Sequence, residues 1–203
     1  MSYLELLNED VRFRDGLKAC ISCGVCTAIC PAAEFFDYDP RKVMIIVQKH
    51  REDELEKLMK SDTIWNCGQC MSCKTRCPRE NTPGMVIQAL RKVSQETGLF
   101  VHSAKGRQQL KIKRTVGDNI LGLGYCVHPD TLIPELHPEQ GTVWEWIYEN
   151  RKEVYDRLGA NMYREGAGAV RKIDEESMEE LRAIFRETGG DRMFQLIEYY
   201  CEE

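Results

Sequence analysis

Apolar residues recur along this chain at the three-to-four-residue spacing of helices, and no segment alternates with the period of a strand. At the start, Ser2 followed by Glu5 fits a capping box, and Tyr3, Leu4, Leu7 and Val11 then share one face until Gly16 stops the run. Asp39 and Pro40 form an N-cap and first helical position. The stretch behind them carries Val43, Ile46 and Val47, runs to about Met59 and has room for two helices. Thr82 and Pro83 repeat the start signal, Val86, Ile87, Leu90 and Val93 make an apolar stripe, and Gly98 closes that helix. Two more helices are predicted over 143–158 and 174–187, the second beginning at Asp174 and ending before Gly189 and Gly190. A last one carries Met193, Phe194, Ile197 and Tyr200. The pattern predicts an all-α chain.

Length and charge narrow this picture. The 203 residues suffice for one ordinary domain, or a small domain with a long extension. The longest aliphatic run, Val43 to Val47, is far short of the roughly 20 apolar residues that span a bilayer. Glu5, Glu9 and Asp10 stand where a secretory signal is basic and then apolar, so a cytoplasmic location is expected. In that reducing compartment the ten cysteines point to metal ligation rather than to disulfides. A formal charge of -5 argues against nucleic acid as a partner.

Eight of the cysteines form two identical runs. Cys20, Cys23, Cys26 and Cys30 follow C-x2-C-x2-C-x3-C with Pro31 next, and Cys67, Cys70, Cys73 and Cys77 repeat the spacing with Pro78 next. Three cysteines in one tight turn reach three corners of a cube, while the fourth begins a new segment and serves the other cube. The spacing thus assigns Cys20, Cys23, Cys26 and Cys77 to one 4Fe-4S cluster and Cys67, Cys70, Cys73 and Cys30 to a second. Gly24 and Gly68 are read as places where backbone amides approach the sulfides, and Pro31 and Pro78 as clean ends of each ligand turn. A structural zinc site is the competing reading of a paired C-x2-C, but zinc uses neither the third cysteine of each turn nor the repeated C-P ending.

The motifs CISCGVCTAICP and CGQCMSCKTRCP, 36 residues apart and followed by TPGMVIQALRKVSQETG, resemble the α-helical ferredoxin domain. Within that group the chain is similar to the C-type subunit of heterodisulfide reductase over roughly residues 1–110. The resemblance implies residues 1–100 as the α-helical ferredoxin domain; because every cluster ligand lies before residue 78 while 101–203 carry aromatic and charged helical segments without a cofactor motif, that extension is expected to dock another subunit, or else to pack on the ferredoxin domain as a stabilising lid. The resemblance also implies an electron-transfer subunit that passes single electrons between a flavin subunit of the A type and a CCG-motif subunit of the B type, which holds the disulfide-active clusters. The chain itself has no adjacent cysteine pair and no GxGxxG, which leaves catalysis and small-molecule substrate to other chains. The length beyond residue 110 points to heterodisulfide-reductase-like complexes, including those of sulfur oxidation. Two other classes stay open: an iron-sulfur subunit of a flavin dehydrogenase, of the fumarate reductase or glycolate and glycerol-phosphate dehydrogenase type, and a non-redox metal-binding interaction protein.

Weaker features carry bland readings beside functional ones. Cys126 with His128 is a packed loop, a thiolate site or a pair of metal ligands, and Cys201 a helix-face residue. Lys18, Lys74, Arg76 and Arg79 flank the ligand turns, where they either keep the surface soluble or favour cluster reduction and steer an acidic partner. The basic stretch 105–114 and the acidic tail, with ten acids against four bases from Lys172 to Glu203, read as solvated helix faces. Trp144, Trp146, Phe194 and Tyr199 either fill a core or anchor another subunit.

Overall fold

The computed structural model describes residues 1–202, and among them all regular structure is helical. The chain divides into two compact units. One comprises residues 1–109 with the stretch from Leu196 onward, the other residues 110–195.

In the first unit the predicted opening helix is two, α1 (Tyr3–Glu9) and α2 (Val11–Gly16). The break is chemical. Asp10 leaves helical geometry, caps α2 by accepting from the Arg12 amide at 2.9 Å, and pairs with the Arg12 guanidinium at 2.6 Å while buried. Ser2 and Glu5 form the expected capping box at the start of α1. Glu52 adds a partner from afar, accepting from the amides of Tyr3 and Leu4. Two short helices, α3 (Val25–Ala28) and α4 (Pro31–Phe35), follow the first cysteine turn, and Pro31 occupies the first position of α4 as a proline should. The stretch toward Met59 is α5 (Pro40–Gln48), capped by Asp39, and α6 (Glu52–Met59).

The longest element of this unit, α7 (Pro83–Glu96), carries the predicted stripe and packs against α1, α2, α5 and α6. Val86, Ile87, Leu90 and Val93 meet Leu7, Phe13, Val43, Met44, Val47, Leu55 and Met59 in one dry core. Fully burying each such side chain contributes about 1.5–3 kcal/mol. Polar groups of α7 are as purposeful as its apolar ones. Ser94 Oγ donates to the carbonyl of Met59 at 2.8 Å, satisfying the end of α6, and Gly98 turns the chain at φ 75° where the helix stops. The ring of Tyr200 packs edge-on against Phe100 at 6.4 Å and covers Gly98.

Beyond this, α8 (Ala104–Ile112) leads through a π turn at Lys113–Gly117 into α9 (Asp118–Leu123). The predicted helix over 143–158 is α10 (Val143–Glu149) and α11 (Arg151–Arg157), broken at Asn150. Then come α12 (Glu175–Thr188), capped by Asp174 and ended by Gly189 at φ 75°, and α13 (Gly190–Glu202). Phe194 packs on Phe185 at 5.5 Å and over Gly117, and Trp144 is buried with its indole nitrogen donating to the Leu132 carbonyl. These two aromatic residues are internal packing. Trp146 and Tyr199 stay exposed, at 58% and 55%.

Asp10 supplies a pH test. Its hydrogen bond from the Arg12 side chain holds its pKa below the ordinary carboxylate value, against the opposing effect of burial. A depressed folded pKa stabilises above the unfolded value near pH 4 and loses that contribution as pH falls through the folded pKa. The stability of wild type over Asp10→Asn, on the order of 1 kcal/mol, should therefore be present at pH 7 and vanish toward pH 2. Urea unfolding of both proteins across that range measures it.

Candidate functional site

Both cysteine turns lie where helices end, and their backbones repeat one another more closely than their sequences. In the first turn Ser22 and Gly24 adopt positive φ, 57° and 84°; in the second Gln69 and Met71 do so, 54° and 59°. Counted from the first cysteine these are the same positions, and in each turn the first of the two sends its amide to that cysteine: Ser22 to Cys20 Sγ and Gln69 to Cys67 Sγ, both at 3.4 Å. The counterpart of Gly24 is thus Met71 and not Gly68, which has ordinary φ. Composition hides the equivalence because a left-handed position without glycine carries no sequence mark.

The structure sorts the eight thiols into two cavities. The first, about 260 Å³, is lined by Cys30, Cys67, Cys70 and Cys73, with Cys26, Tyr38 and Gly84. The second, about 20 Å³, is lined by Cys20, Cys23, Cys26 and Cys77, with Arg41, Met44 and Asn81. Cys30, the N-cap of α4, thereby joins the second motif's turn, and Cys77 joins the first. Cys26 and Pro83 belong to both walls, so the cavities adjoin. Pro83 opens α7 and Pro40, in the wall of the first cavity, opens α5, which sets the positive ends of two helices toward this region.

Hydrogen-bond donors without acceptors lie around these cavities. Among the described residues, the Tyr38 hydroxyl, Arg41 Nε and Asn81 Nδ2 are buried and have no hydrogen-bond partner. Tyr38 lines the first cavity, Arg41 and Asn81 the second. The orientation of Asn81 follows from its surroundings: Oδ1 accepts from the Lys18 amide at 2.7 Å, leaving Nδ2 unpaired, while the Asn81 amide itself donates to Cys77 Sγ at 3.3 Å. Unpaired buried donors are costly unless an acceptor arrives. Four thiolates and the sulfides of an anionic cluster are such acceptors, and the donor set therefore fits a sulfur-rich cluster in each cavity.

Charges agree with this. Burial pushes the thiols of Cys26 and Cys73 up, so loading must displace their protons, whereas the Ser72 hydroxyl and amide draw the exposed Cys70 down. Burial, and then the negative charges of Cys67, Cys30 and Cys73, drive Tyr38 far above its ordinary value and keep it a donor. Arg41 is held by Asp39 at 3.1 Å. Arg91 of α7 reaches the carbonyls of Ile64 and Cys67, both at 2.7 Å, and so braces the start of the second turn.

Lys18, Lys74, Arg76 and Arg79 are exposed around the turns, as are Ile21, Cys23, Cys70 and Phe35. Lys105, read from the sequence as part of a solvated face, instead ties to the rim, donating to Asn66 Oδ1 and lying 3.8 Å above the Phe36 ring. Tyr38, Arg41, Asn81 and Arg91 also escape a reading of the sequence. Arg91 is visible there as a cation between Leu90 and Val93 on the apolar stripe. In the other unit Cys126 is exposed while His128 is buried and accepts from the Asp130 amide at 3.2 Å, an arrangement of loop packing.

Residues 16–81 match the family model of the 4Fe-4S dicluster domain. Similar proteins include the C-type subunit of the ferredoxin:CoB-CoM heterodisulfide reductase of Methanosarcina acetivorans, 36% identical over 160 residues, which are 78% of this chain and 61% of that one. The C-type iron-sulfur subunit of the CoB-CoM heterodisulfide reductase of Methanopyrus kandleri is 34% identical over 154 residues, 74% of this chain and 79% of that one. The second C-type iron-sulfur subunit of the CoB-CoM heterodisulfide reductase of Methanocaldococcus jannaschii is 32% identical over 136 residues, 67% and 65%. The chain thus spans less than two thirds of the length of the first and third of these relatives. With the eight thiols, the dicluster match makes two 4Fe-4S clusters the cofactors of this chain and sets the zinc alternative aside. No helix among the described residues is long and apolar enough to cross a membrane.

The repeated left-handed positions generate a paired test. Gly24→Ala places a side chain at φ 84°, with nothing near its methyl, and should cost about 1–2 kcal/mol through the backbone alone. Ser22→Gly relieves the same kind of strain two residues away and should cost nothing. Urea unfolding of the iron-loaded proteins, followed by cluster absorbance, compares them.

Proposed function

The chain belongs to the family of C-type heterodisulfide reductase subunits, and on that footing we propose that it relays single electrons between other subunits of a heterodisulfide-reductase-like complex. The observation that carries the reading is the pair of adjoining cavities, each lined by thiols drawn from both motifs, with Cys26 and Pro83 as common wall. In this reading Cys20, Cys23, Cys26 and Cys77 hold one cluster and Cys67, Cys70, Cys73 and Cys30 the other. Each cluster, when bound, takes up and gives back one electron without bond making in the protein. The protein's own part is positional: it keeps the two sites adjacent, supplies donors from Asn81, Arg41 and Tyr38, and excludes water with Met44, Pro40 and Pro83.

The partners proposed are a flavin-containing subunit on one side and a CCG-type subunit on the other, in the cytoplasm. Exposure of Cys23 and Ile21 at one site and of Cys70 and Phe35 at the other leaves each a short path to a docked protein. Lys18, Lys74, Arg76 and Arg79 suit an acidic surface there. The extension 101–203 is proposed to dock a partner through Trp146 and Tyr199, whose side chains are exposed, whereas Trp144 is buried. A role in sulfur oxidation rested on the length of this extension. The alignment of 160 residues with a methanogen subunit necessarily runs past residue 110, so that length no longer favours it.

Anaerobically purified protein should contain about eight iron and eight sulfide per chain, and zinc without labile sulfide would end the reading. Replacing Cys77 by Ser should disturb the paramagnetic signal of the cluster on Cys20, Cys23 and Cys26. Disturbance confined to the Cys67, Cys70 and Cys73 cluster would overturn the crosswise ligand set.

For docking, Trp146→Ala should leave iron content and reduction by dithionite unchanged while reducing co-purification of the partner subunits. Retention of all partners would remove Trp146 from the interface. Truncation is a poorer probe, because it strips Tyr200 from Phe100 and Gly98.

A further inference from the structure

Arg91 is a partly buried cation of the first unit that holds two backbone carbonyls and no carboxylate, unlike Arg41 and the adjacent Lys92, while Lys105, at the rim of the same cavity, is held by Asn66. Arg91 lies partly buried on α7, its guanidinium 5.3 Å from the centre of the Trp65 ring and its hydrogen bonds spent on the carbonyls of Ile64 and Cys67. Among the described residues no carboxylate forms an ion pair with it, and its two hydrogen bonds end on main-chain oxygens. The adjacent Lys92 faces Asp10 and Glu96 at 3.9 and 3.7 Å, and Arg41 beside the other cavity is neutralised by Asp39 at 3.1 Å. Arg79, which also lines that other cavity, is exposed and screened by water.

A guanidinium withdrawn from water without a counter-ion is unfavourable. The guanidinium is bound at 2.7 Å to the carbonyl of Cys67, the residue whose thiol lines the first cavity, so the anion nearest to it in the loaded protein is the cluster that this thiol ligates. We propose that Arg91 is the built-in counter-cation of the cluster held by Cys30, Cys67, Cys70 and Cys73, and that it raises the reduction potential of that cluster selectively. This inference rests on the electron-carrier reading and on its ligand set. Reduction adds one electron, delivered by the redox partner, and makes the cluster more negative by one charge. A fixed positive charge nearby, in a dry region where Coulomb interactions are strong, favours the reduced form. The carbonyl contacts serve the same end: they fix the guanidinium and prevent it from swinging to solvent.

The test is a potentiometric titration of the full-length, iron-loaded protein followed by paramagnetic resonance, with the two signals assigned by Cys77→Ser. In Arg91→Gln the reduced-to-oxidised ratio of the Cys67 cluster, read at its wild-type midpoint, should fall at least tenfold, equivalent to about 59 mV for one electron. The other cluster should shift less than a third as far. Arg91→Lys keeps the charge but not the fork, and should restore most of the ratio. The inference is overturned if Arg91→Gln leaves the ratio within twofold, if Lys shifts it as far as Gln does, or if both clusters move together. Should Arg91→Gln fail to take up iron, Arg91→Met, which also removes the charge, takes its place: a tenfold fall in its ratio with Arg91→Lys unmoved supports the charge, and a ratio within twofold overturns the inference. Wild-type protein without iron and sulfide would defeat the carrier reading itself, whereas loaded protein indifferent to Arg91 would defeat this inference alone.

Discussion

Burial of α7 is the constraint on which the first unit depends. One face of this helix supplies Val86, Ile87, Leu90 and Val93 to the core, and its first turn, through Pro83 and Gly84, forms part of the cavity walls. Between these ends its polar side chains act on distant backbone: Ser94 on Met59, Arg91 on Ile64 and Cys67. The amide of Thr82, just before the helix, donates to the Gly16 carbonyl at 2.8 Å and fastens the end of α2 beside it. A shift of α7 would therefore move both cysteine turns at once. Close-packed interiors transmit such displacements rather than absorbing them.

The electrostatic problem is the concentration of sulfur-borne negative charge in a partly dry region. The protein answers it with several devices of differing strength. Helix starts at Pro40 and Pro83 contribute partial positive charge, backbone amides at Ser22, Gln69 and Asn81 contribute hydrogen bonds to thiolates, and Tyr38 contributes a neutral donor. These are dipoles. Full charges near the cavities differ in compensation: Arg41 is paired with a carboxylate, Arg79 is exposed to water, and Lys105 and Arg91 are held by an amide oxygen and by main-chain carbonyls. Two sites with the same ligand spacing thus acquire different surroundings.

Much of this was legible in the sequence because the signals were local. The helix starts at Ser2, Asp39 and Asp174 read correctly since an N-cap needs only a side chain and the next few amides, and the start at Thr82, whose side chain caps nothing, read correctly because Pro83 suits the first helical position. The two 4Fe-4S clusters were legible because ligand spacing is itself the chemistry. The break at Asp10 was missed: its cause is a salt bridge two residues ahead, which periodicity does not register. The donors around the cavities were missed for a different reason. Arg91 follows Cys67, whose carbonyl it holds, by 24 residues, and Tyr38 and Asn81 each stand beside thiols of the more distant motif. Only folding brings them together. The left-handed Met71 defeats sequence reading altogether, since nothing about methionine announces positive φ.

The crossing of Cys30 and Cys77 between the cavities has a consequence for biosynthesis. A ribosome delivers the first motif 36 residues before the second begins, and through that interval neither cavity has its full complement of thiols. A nascent chain halted there offers three cysteines on one turn and a fourth pointing away, a poor receptacle for any preassembled cube. Cofactor delivery must therefore wait until α5 and α6 have formed, the second turn has emerged and α7 has begun to dock. On the ligand set proposed above, neither site is complete until both turns have folded, so insertion of a cluster into either one follows folding of the unit that holds both.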